Sequence, residues 1–365
     1  MPVVGVDDFP DVVAVIPTMG TDHDRLLRCI DSLLATDTHR RISVVCVVNS
    51  STGLPFDIER PLVHVIEAGM NLGWAGGLVF GAGLTTAPFI WFIQDDMTVE
   101  TTTLDAQAAA LESDDRLGCV GPIVVHNGLV PMGSCGGTIS PHGEVVDFCP
   151  PQECAPEDLR DLDKTSYVPS RGMMVRRSAF YDAGGPNARL YPVQFVDIDF
   201  SYRLKRAGWE LRLETSAHVT HTVNGSSPSG FVHFLYSRNI ELFASTWIGQ
   251  SAEPPEPFFP VAALRPDRVD APRLALHPGI SDTLMQEVAQ SATDALTHLG
   301  RLFSNEEKLL AEARSTVARQ NEELKQVDDL RRELSLVTGS RSWKLTSPLR
   351  RVKTALANGT RRNSA

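Results

Sequence analysis

Apolar and polar positions follow one another along this chain in blocks whose period switches between that of a strand and that of a helix. Val12 to Ile16 is a short apolar run ending at Pro17-Thr18, and it predicts a buried parallel strand. Asp22 to Ala35 has helical spacing, with Leu26, Leu27, Ile30, Leu33 and Leu34 as its apolar stripe. Ile42 to Val48 predicts a second strand ending at Asn49-Ser50-Ser51, and Leu62 to Ile66 a third. Gly73 to Leu84 is small and apolar, as expected of a helix packed closely on a sheet. Phe89 to Ile93 predicts a further strand ending at Gln94-Asp95-Asp96. Strands alternating with helices imply parallel pairing with right-handed crossovers, and ligands then gather at the carboxyl ends of the strands. Thr18, Asn49 and Asp95-Asp96 all fall at such ends.

Beyond this block the pattern changes. Gly121 to Pro169 reads as turn-rich β segments, followed by helix at Arg177 to Ala183, helix at Asp197 to Ala207, strand at Glu210 to Leu213 and helix at Phe231 to Trp247. Prolines at 254, 255, 257, 260, 266, 272 and 278 end the compact domain or lay an extended strap over it. Residues 282 to 337 favour helix, and Leu310, Val317 and Leu324 recur every seven, as do Ala313, Gln320, Val327 and Leu334. This is a short heptad pattern, read either as a coiled-coil dimer or as a helix packed back on the domain. Ser347-Pro348 starts a last helix with Leu349, Val352 and Leu356 on one face and Arg350, Arg351 and Lys353 nearby. It is either an interfacial helix on anionic lipid or a solvated basic tail. The expected organisation is 1–250 as the main domain, 251–281 as strap or linker, 282–338 as helix and 339–365 as basic amphipathic tail.

Charge sharpens the reading of the tail. The 365-residue chain has a net charge of -11, which disfavours nucleic acid as a partner. From Ser340 to Ala365 there are seven Lys/Arg and no acid, so the preceding 339 residues carry -18. The six cysteines include no Cys-x-x-Cys pair, and Cys29 and Cys46 sit in apolar patterns as buried thiols. The start of the chain lacks a basic-then-apolar signal, and no apolar run reaches the roughly 18 residues that span a bilayer. The expected location is the cytoplasm, with the tail meeting the inner face of the plasma membrane on the lipid-binding reading.

Chemistry concentrates at a few places. Two adjacent carboxylates at a buried strand end repel each other, and Mg²⁺ or Mn²⁺ bridging to substrate phosphates relieves this. An exposed acidic turn is the plainer account of Asp95-Asp96. Asp197-Ile198-Asp199 opens a helix, and spacing of two cannot put both acids on one face. One caps the helix or pairs with Arg203 while the other enters a cleft as general base, or both only cap. His218 and His221, three apart, point to opposite faces if the segment is extended, so one of them is the candidate third metal ligand. Asn71-Leu72-Gly73-Trp74-Ala75-Gly76-Gly77 lets a backbone approach something closely, although it is neither a dinucleotide fingerprint nor a Walker loop. Arg238-Asn239 offers a guanidinium for a diphosphate.

The order of these elements is more specific than any one of them. Pro17-Thr18, Asn49-Ser50-Ser51, Asn71-Leu72-Gly73, Asp95-Asp96, Arg171-Gly172-Met173-Met174, Asp197-Ile198-Asp199 before Arg203, His221 and Arg238-Asn239, in that succession, resemble the family 2 glycosyltransferases over residues 11 to 247. The tail from Ser340 to Arg350 resembles endings of bacterial cell-surface polysaccharide enzymes, of rhamnosyl- or galactofuranosyltransferase type. The resemblance implies an α/β fold of GT-A type, a Rossmann-like mostly parallel sheet flanked by helices, with a C-terminal helical or coiled-coil extension. It implies Asp96 and His221 as ligands of Mg or Mn, and Asp197 as the base. Thr18, Asn49, Asn71, Gly73, Asp95 and Arg238 line the donor site. Gln94 and Val196 depart from the family's acidic motifs.

The activity so implied is inverting transfer of a hexosyl or deoxyhexosyl group from a UDP- or dTDP-linked sugar. The acceptor is a hydroxyl of a growing cell-surface glycan or a lipid-linked glycan, with homo-oligomerisation through 309–337 and membrane contact through 340–357. The rival readings are a catalytically silent nucleotide-sugar-binding or scaffold subunit and, less well supported because the glycine fingerprint is missing, a nucleotide-dependent oxidoreductase.

Overall fold

Seven consecutive buried residues, Val12–Thr18, form β1 near the middle of an eight-stranded sheet. The structure, a computed structural model, describes residues 10–131, 134–149, 153–159, 162–222, 229–248 and 282–340. β1 pairs in parallel with β2 (Ile42–Val48) on one side and with β4 (Phe89–Phe92) on the other, and β2 pairs in parallel with β3 (Val63–Glu67). The sheet continues through β9 (Met174–Arg176), β6 (Leu117–Val125), β10 (Glu210–His221) and β5 (Met97–Val99), in the order β3-β2-β1-β4-β9-β6-β10-β5. β9 is antiparallel to both β4 and β6, β10 is parallel to β6, and β5 is antiparallel to β10. The expected α/β fold, with a largely parallel sheet flanked by helices and a helical C-terminal segment, is what the chain adopts.

The first strands read as unbroken apolar runs because both faces of the sheet are covered. On one face Val13, Val15, Val45 and Val47 meet α2 (Gly73–Gly83), in an apolar cluster that also takes in α5 (Val196–Arg206). On the other, Val12, Ala14, Ile16, Val44 and Cys46 belong to an apolar cluster that takes in α1 (His23–Leu34) and α3 (Thr103–Ser113). α2 has almost no polar face, and glycine lets it come close. A Cβ at Gly77 would stand 2.6 Å from Pro17 Cβ, and one at Gly81 2.3 Å from Val15 Cγ1. Gly77 and Gly81 therefore serve helix-on-sheet packing, the plainer of the two readings of the segment.

Several boundaries differ from expectation for identifiable reasons. β10 does not stop at Leu213. It runs on to His221 through an irregularity between Glu214 and His218, because Ala217 and Val219 return to the buried face. The Phe231–Trp247 helix is α6 (Ser229–Phe243) followed by a π-helical turn, Ala244–Ile248. β5 and α3, for which the pattern gave no expectation, follow the acidic pair directly. The turn-rich middle holds the small hairpin of β7 (Gly137–Ile139) and β8 (Val145–Asp147). The same stretch contributes to a separate apolar cluster that includes Cys135, Cys149 and Cys154. All six cysteines are buried thiols outside any disulfide, as expected of Cys29 and Cys46. α4 (Arg177–Asp182) completes the elements around β9.

Contacts divide the chain into two compact units, Met1–Gly300 and Arg301–Ala365. The division falls inside α7 (Asp282–Gly339), not at its start, because Leu299 is buried in the first unit and Thr293 donates to the carbonyl of Asn71. In the second unit Leu310, Val317, Val327 and Leu334, all in the heptad pattern, are exposed. No helix among the described residues is long and apolar enough to cross a membrane. The 251–281 strap and the basic tail from 341 lie outside the described residues.

Candidate active site

The carboxyl ends of β1, β2 and β4 open on a cleft of about 470 Å³. Its lining includes Thr18, Asn49, Asn71, Gly73, Asp95, Asp96, Asp197 and His221, so eight of the nine sequence-derived site residues come together. Arg238 does not line it. Its Nη1 donates to the Leu190 carbonyl at 2.9 Å and to Asn239 Oδ1, and burial lowers its pKa from the usual guanidinium value. Asn239, fully buried, donates in turn to the carbonyls of Val193 and Gln194 at 3.2 and 3.1 Å. The Arg238-Asn239 pair thus braces the loop ahead of α5 instead of reaching the cleft from the sequence-expected position.

That loop is strained. Gln194 and Phe195 both have φ near +60°, a left-handed conformation that is costly for residues with a side chain. It turns the chain so that Asp197, in the first turn of α5, faces the cleft. Asp197 Oδ2 accepts the backbone N–H of Ser170 at 3.1 Å, with the Ser170 hydroxyl at 3.5 Å. Asp199, two positions on, points the other way. It is fully buried, accepts Arg203 Nε at 2.7 Å and the Trp247 indole N–H at 2.9 Å, and so anchors α5. Burial raises its pKa above the usual carboxylate value, with Arg203 and Trp247 pulling it back. The two acids therefore divide as the spacing suggested, one paired with Arg203 and one in the cleft.

The adjacent carboxylates also have separate partners. Thr18 Oγ1 donates to Asp95 Oδ2 at 2.6 Å, and Arg25 Nη2, from the first turns of α1, stands 3.3 Å from both Asp95 oxygens. Asp96 Oδ1 instead faces His221 Nε2 at 3.2 Å. Strand register explains that contact: His221 pairs with Met97 across β10 and β5, and the Thr222 N–H donates to the Asp96 carbonyl. His218 faces away, 3.4 Å from Glu100. The two acids thus point to different partners, Asp95 to a guanidinium and Asp96 to an imidazole.

Among the described residues no three His, Cys, Asp or Glu side chains gather into a metal cluster. Asp96 and His221 nevertheless present one carboxylate and one imidazole to the same side of the cleft. Such a pair fits a divalent ion that draws its other ligands from phosphate and water. Among the described residues His221 Nδ1 is buried with no partner. Asn49 donates through Nδ2 to the Gly73 carbonyl, while its buried Oδ1 has no partner among the same residues.

Several lining residues were given no role from sequence, among them Arg25, Trp74, Ser170 and Leu296. Arg25 could have been found as a cation one turn into the helix after β1. Trp74 and Ser170 lie inside or beside quoted segments. Leu296 had no local signal, since it arrives from α7 more than two hundred residues away in the chain.

Residues 13–182 match the family model described as Glycosyl transferase family 2. No curated protein matches the chain. Among solved structures, that of GalNAc-T7 with UDP, GalNAc and Mn²⁺ aligns with TM-score 0.49 at 12% identity, covering 67% of this chain and 49% of that one. The chain thus spans about half the length of that protein. The mannosyltransferase PcManGT from Pyrobaculum calidifontis, in complex with GDP-Man and Mn²⁺, aligns with TM-score 0.45 at 14% identity, over 82% and 80%. The residues Thr18, Asn49, Asn71, Asp95 and Asp96 of the cleft thus lie within the stretch that matches this family model, whereas Asp197 and His221 reach the cleft from beyond it.

Proposed function

We propose that this protein is an inverting glycosyltransferase that moves a sugar from a UDP- or dTDP-linked donor to a hydroxyl of a cell-surface glycan or lipid-linked glycan. The observation that carries this reading is one cleft with Asp96 and His221 on one wall and Asp197 on another. The family match over residues 13–182 supports transfer chemistry in that cleft.

In this reading Asp197 takes the proton of the acceptor hydroxyl as its oxygen bonds to the anomeric carbon. The bond from that carbon to the phosphate oxygen breaks on the opposite face, and the nucleoside diphosphate departs with the bonding electrons. Asp96 and His221 would hold Mg²⁺ or Mn²⁺, which supplies positive charge for the departing diphosphate. Asn49, with its unpaired buried acceptor, and Asn71 line the part of the cleft assigned to the nucleoside. The braced loop at Gln194-Phe195 fixes where the base stands, which matters because catalysis of this kind depends on positioning.

The rhamnosyl or galactofuranosyl type, the membrane contact through 340–357 and self-association through 309–337 belong to the same proposal. The exposed heptad positions of α7 support the last of these. A panel of UDP- and dTDP-sugars, tested for binding with Mn²⁺ and again with a chelator, tests the reading. Tight, chelator-sensitive binding of at least one donor followed by turnover is expected. Binding without turnover for every donor and acceptor would favour a silent subunit.

A further inference from the structure

Trp74 and Ser170 are 96 positions apart, yet the Trp74 indole N–H donates to Ser170 Oγ at 3.2 Å. Both line the cleft beside Asp197, and Ser170 is 6% exposed. An indole N–H can only donate, whereas a hydroxyl has one proton and two lone pairs. With the indole occupying a lone pair, the one Ser170 proton is left for Asp197 Oδ2, which already accepts the Ser170 backbone N–H. We infer that Ser170 and Trp74 are positioning residues for the base: Trp74 sets the direction of the Ser170 hydroxyl, and Ser170 holds the Asp197 carboxylate at the angle needed to receive the acceptor's proton.

The chemistry suits the place. Asp197 sits at the start of a helix after two residues of left-handed backbone, so its rotamer has little support from regular structure. Its remaining hydrogen bond is to its own neighbour, from the Ile198 N–H at 3.1 Å. Among the described residues Ser170 is the group that reaches this carboxylate from a distant part of the chain, and it ties the side chain down. The hydroxyl at 3.5 Å is long, as catalytic hydrogen bonds are before substrate closes the site.

This inference rests on Asp197 being the base, so the test includes that residue. The full chain is assayed with whichever UDP- or dTDP-sugar it turns over in Mn²⁺. Ser170→Ala is expected to lower kcat by roughly ten- to a hundredfold, the scale of a hydrogen bond to a charged group. UDP affinity, measured by calorimetry, should stay within about twofold, since a lost orienting contact acts on the chemical step and not on uniform binding. Ser170→Thr, which keeps the hydroxyl, should restore most of the rate. The decisive readout is the double-mutant cycle: Trp74→Phe should slow the parent severalfold and add nothing in the Ser170→Ala background. An equal Trp74→Phe effect in both backgrounds, or an undiminished kcat in Ser170→Ala, overturns the inference. If Ser170→Ala does not fold, Ser170→Cys takes its place in the cycle. Turnover by Asp197→Asn at the parent rate overturns the base reading itself, whereas a silent Asp197→Asn beside a fully active Ser170→Ala overturns only the positioning role.

Discussion

Replacing Arg203 with leucine should destabilise the protein through the acid it leaves behind. Asp199 is fully buried and Arg203 is 6% exposed, with Nε 2.7 Å from Oδ2. At charge separations of about 4 Å and an effective dielectric near 20, the attraction lost is about 4 kcal/mol. Removing one partner of a buried pair typically costs about 3–5 kcal/mol, in agreement. Among the described residues Asp199 would retain only the Trp247 N–H, and Trp247 would lose the cation 5.9 Å from its ring. The pH dependence has a definite sign. Burial already raises the Asp199 carboxyl above its unfolded value, and removing Arg203 removes a cause that lowers it. A carboxyl raised in the folded state contributes stability that is present below the unfolded pKa and is lost as pH rises through the folded one. The deficit of Arg203→Leu should therefore be largest near neutral pH and shrink on acidification toward the ordinary carboxylate pKa, about 4. Urea titrations at both pH values measure this. Adding Asp199→Asn keeps an acceptor for Trp247, removes the charge and should recover most of the loss. A neutral-pH deficit below about 1 kcal/mol, or no recovery with the second substitution, would refute the reasoning.

Three other outcomes follow from the same geometry. Gly81→Ala should cost about 1–3 kcal/mol, because its Cβ would overlap Val15 and α2 must lift from the sheet; thermal denaturation reads the loss. Asn239→Ala should leave the Val193 and Gln194 carbonyls unpaired, destabilise by about 1–3 kcal/mol and lower kcat more than UDP affinity, because the loop it braces positions Asp197. A thiol reagent near pH 8 should label native protein slowly and all six cysteines on unfolding. Burial pushes Cys46 and Cys149 up to about 12, and rapid labelling of folded protein would contradict the packing.

The sequence made the first half of the fold legible because β1, β2 and β4 are buried on both faces, and unbroken apolar runs ending in polar residues mark such strands. It also brought Asp95, Asp96, Asp197 and His221 to one place through their order along the chain. What it could not convey depends on pairing at a distance. His221 meets Asp96 only through the β10–β5 register, and β5 is three residues long. Arg25 takes Asp95 because α1 follows the strand beside it, and Arg238 turns inward because a strained loop needs its donors. Local pattern carries no trace of either choice, nor of Leu296 reaching the cleft from α7.

The central claim is that Asp197 deprotonates an acceptor in a displacement at the anomeric carbon. Its most direct test is single-turnover transfer by parent and Asp197→Asn with the donor that turns over, following nucleoside diphosphate release and the anomeric configuration of the product by NMR. The account predicts an inverted product from the parent and loss of transfer in Asp197→Asn with donor affinity nearly unchanged. Transfer by Asp197→Asn at the parent rate, or a product with the donor's configuration retained, would contradict it.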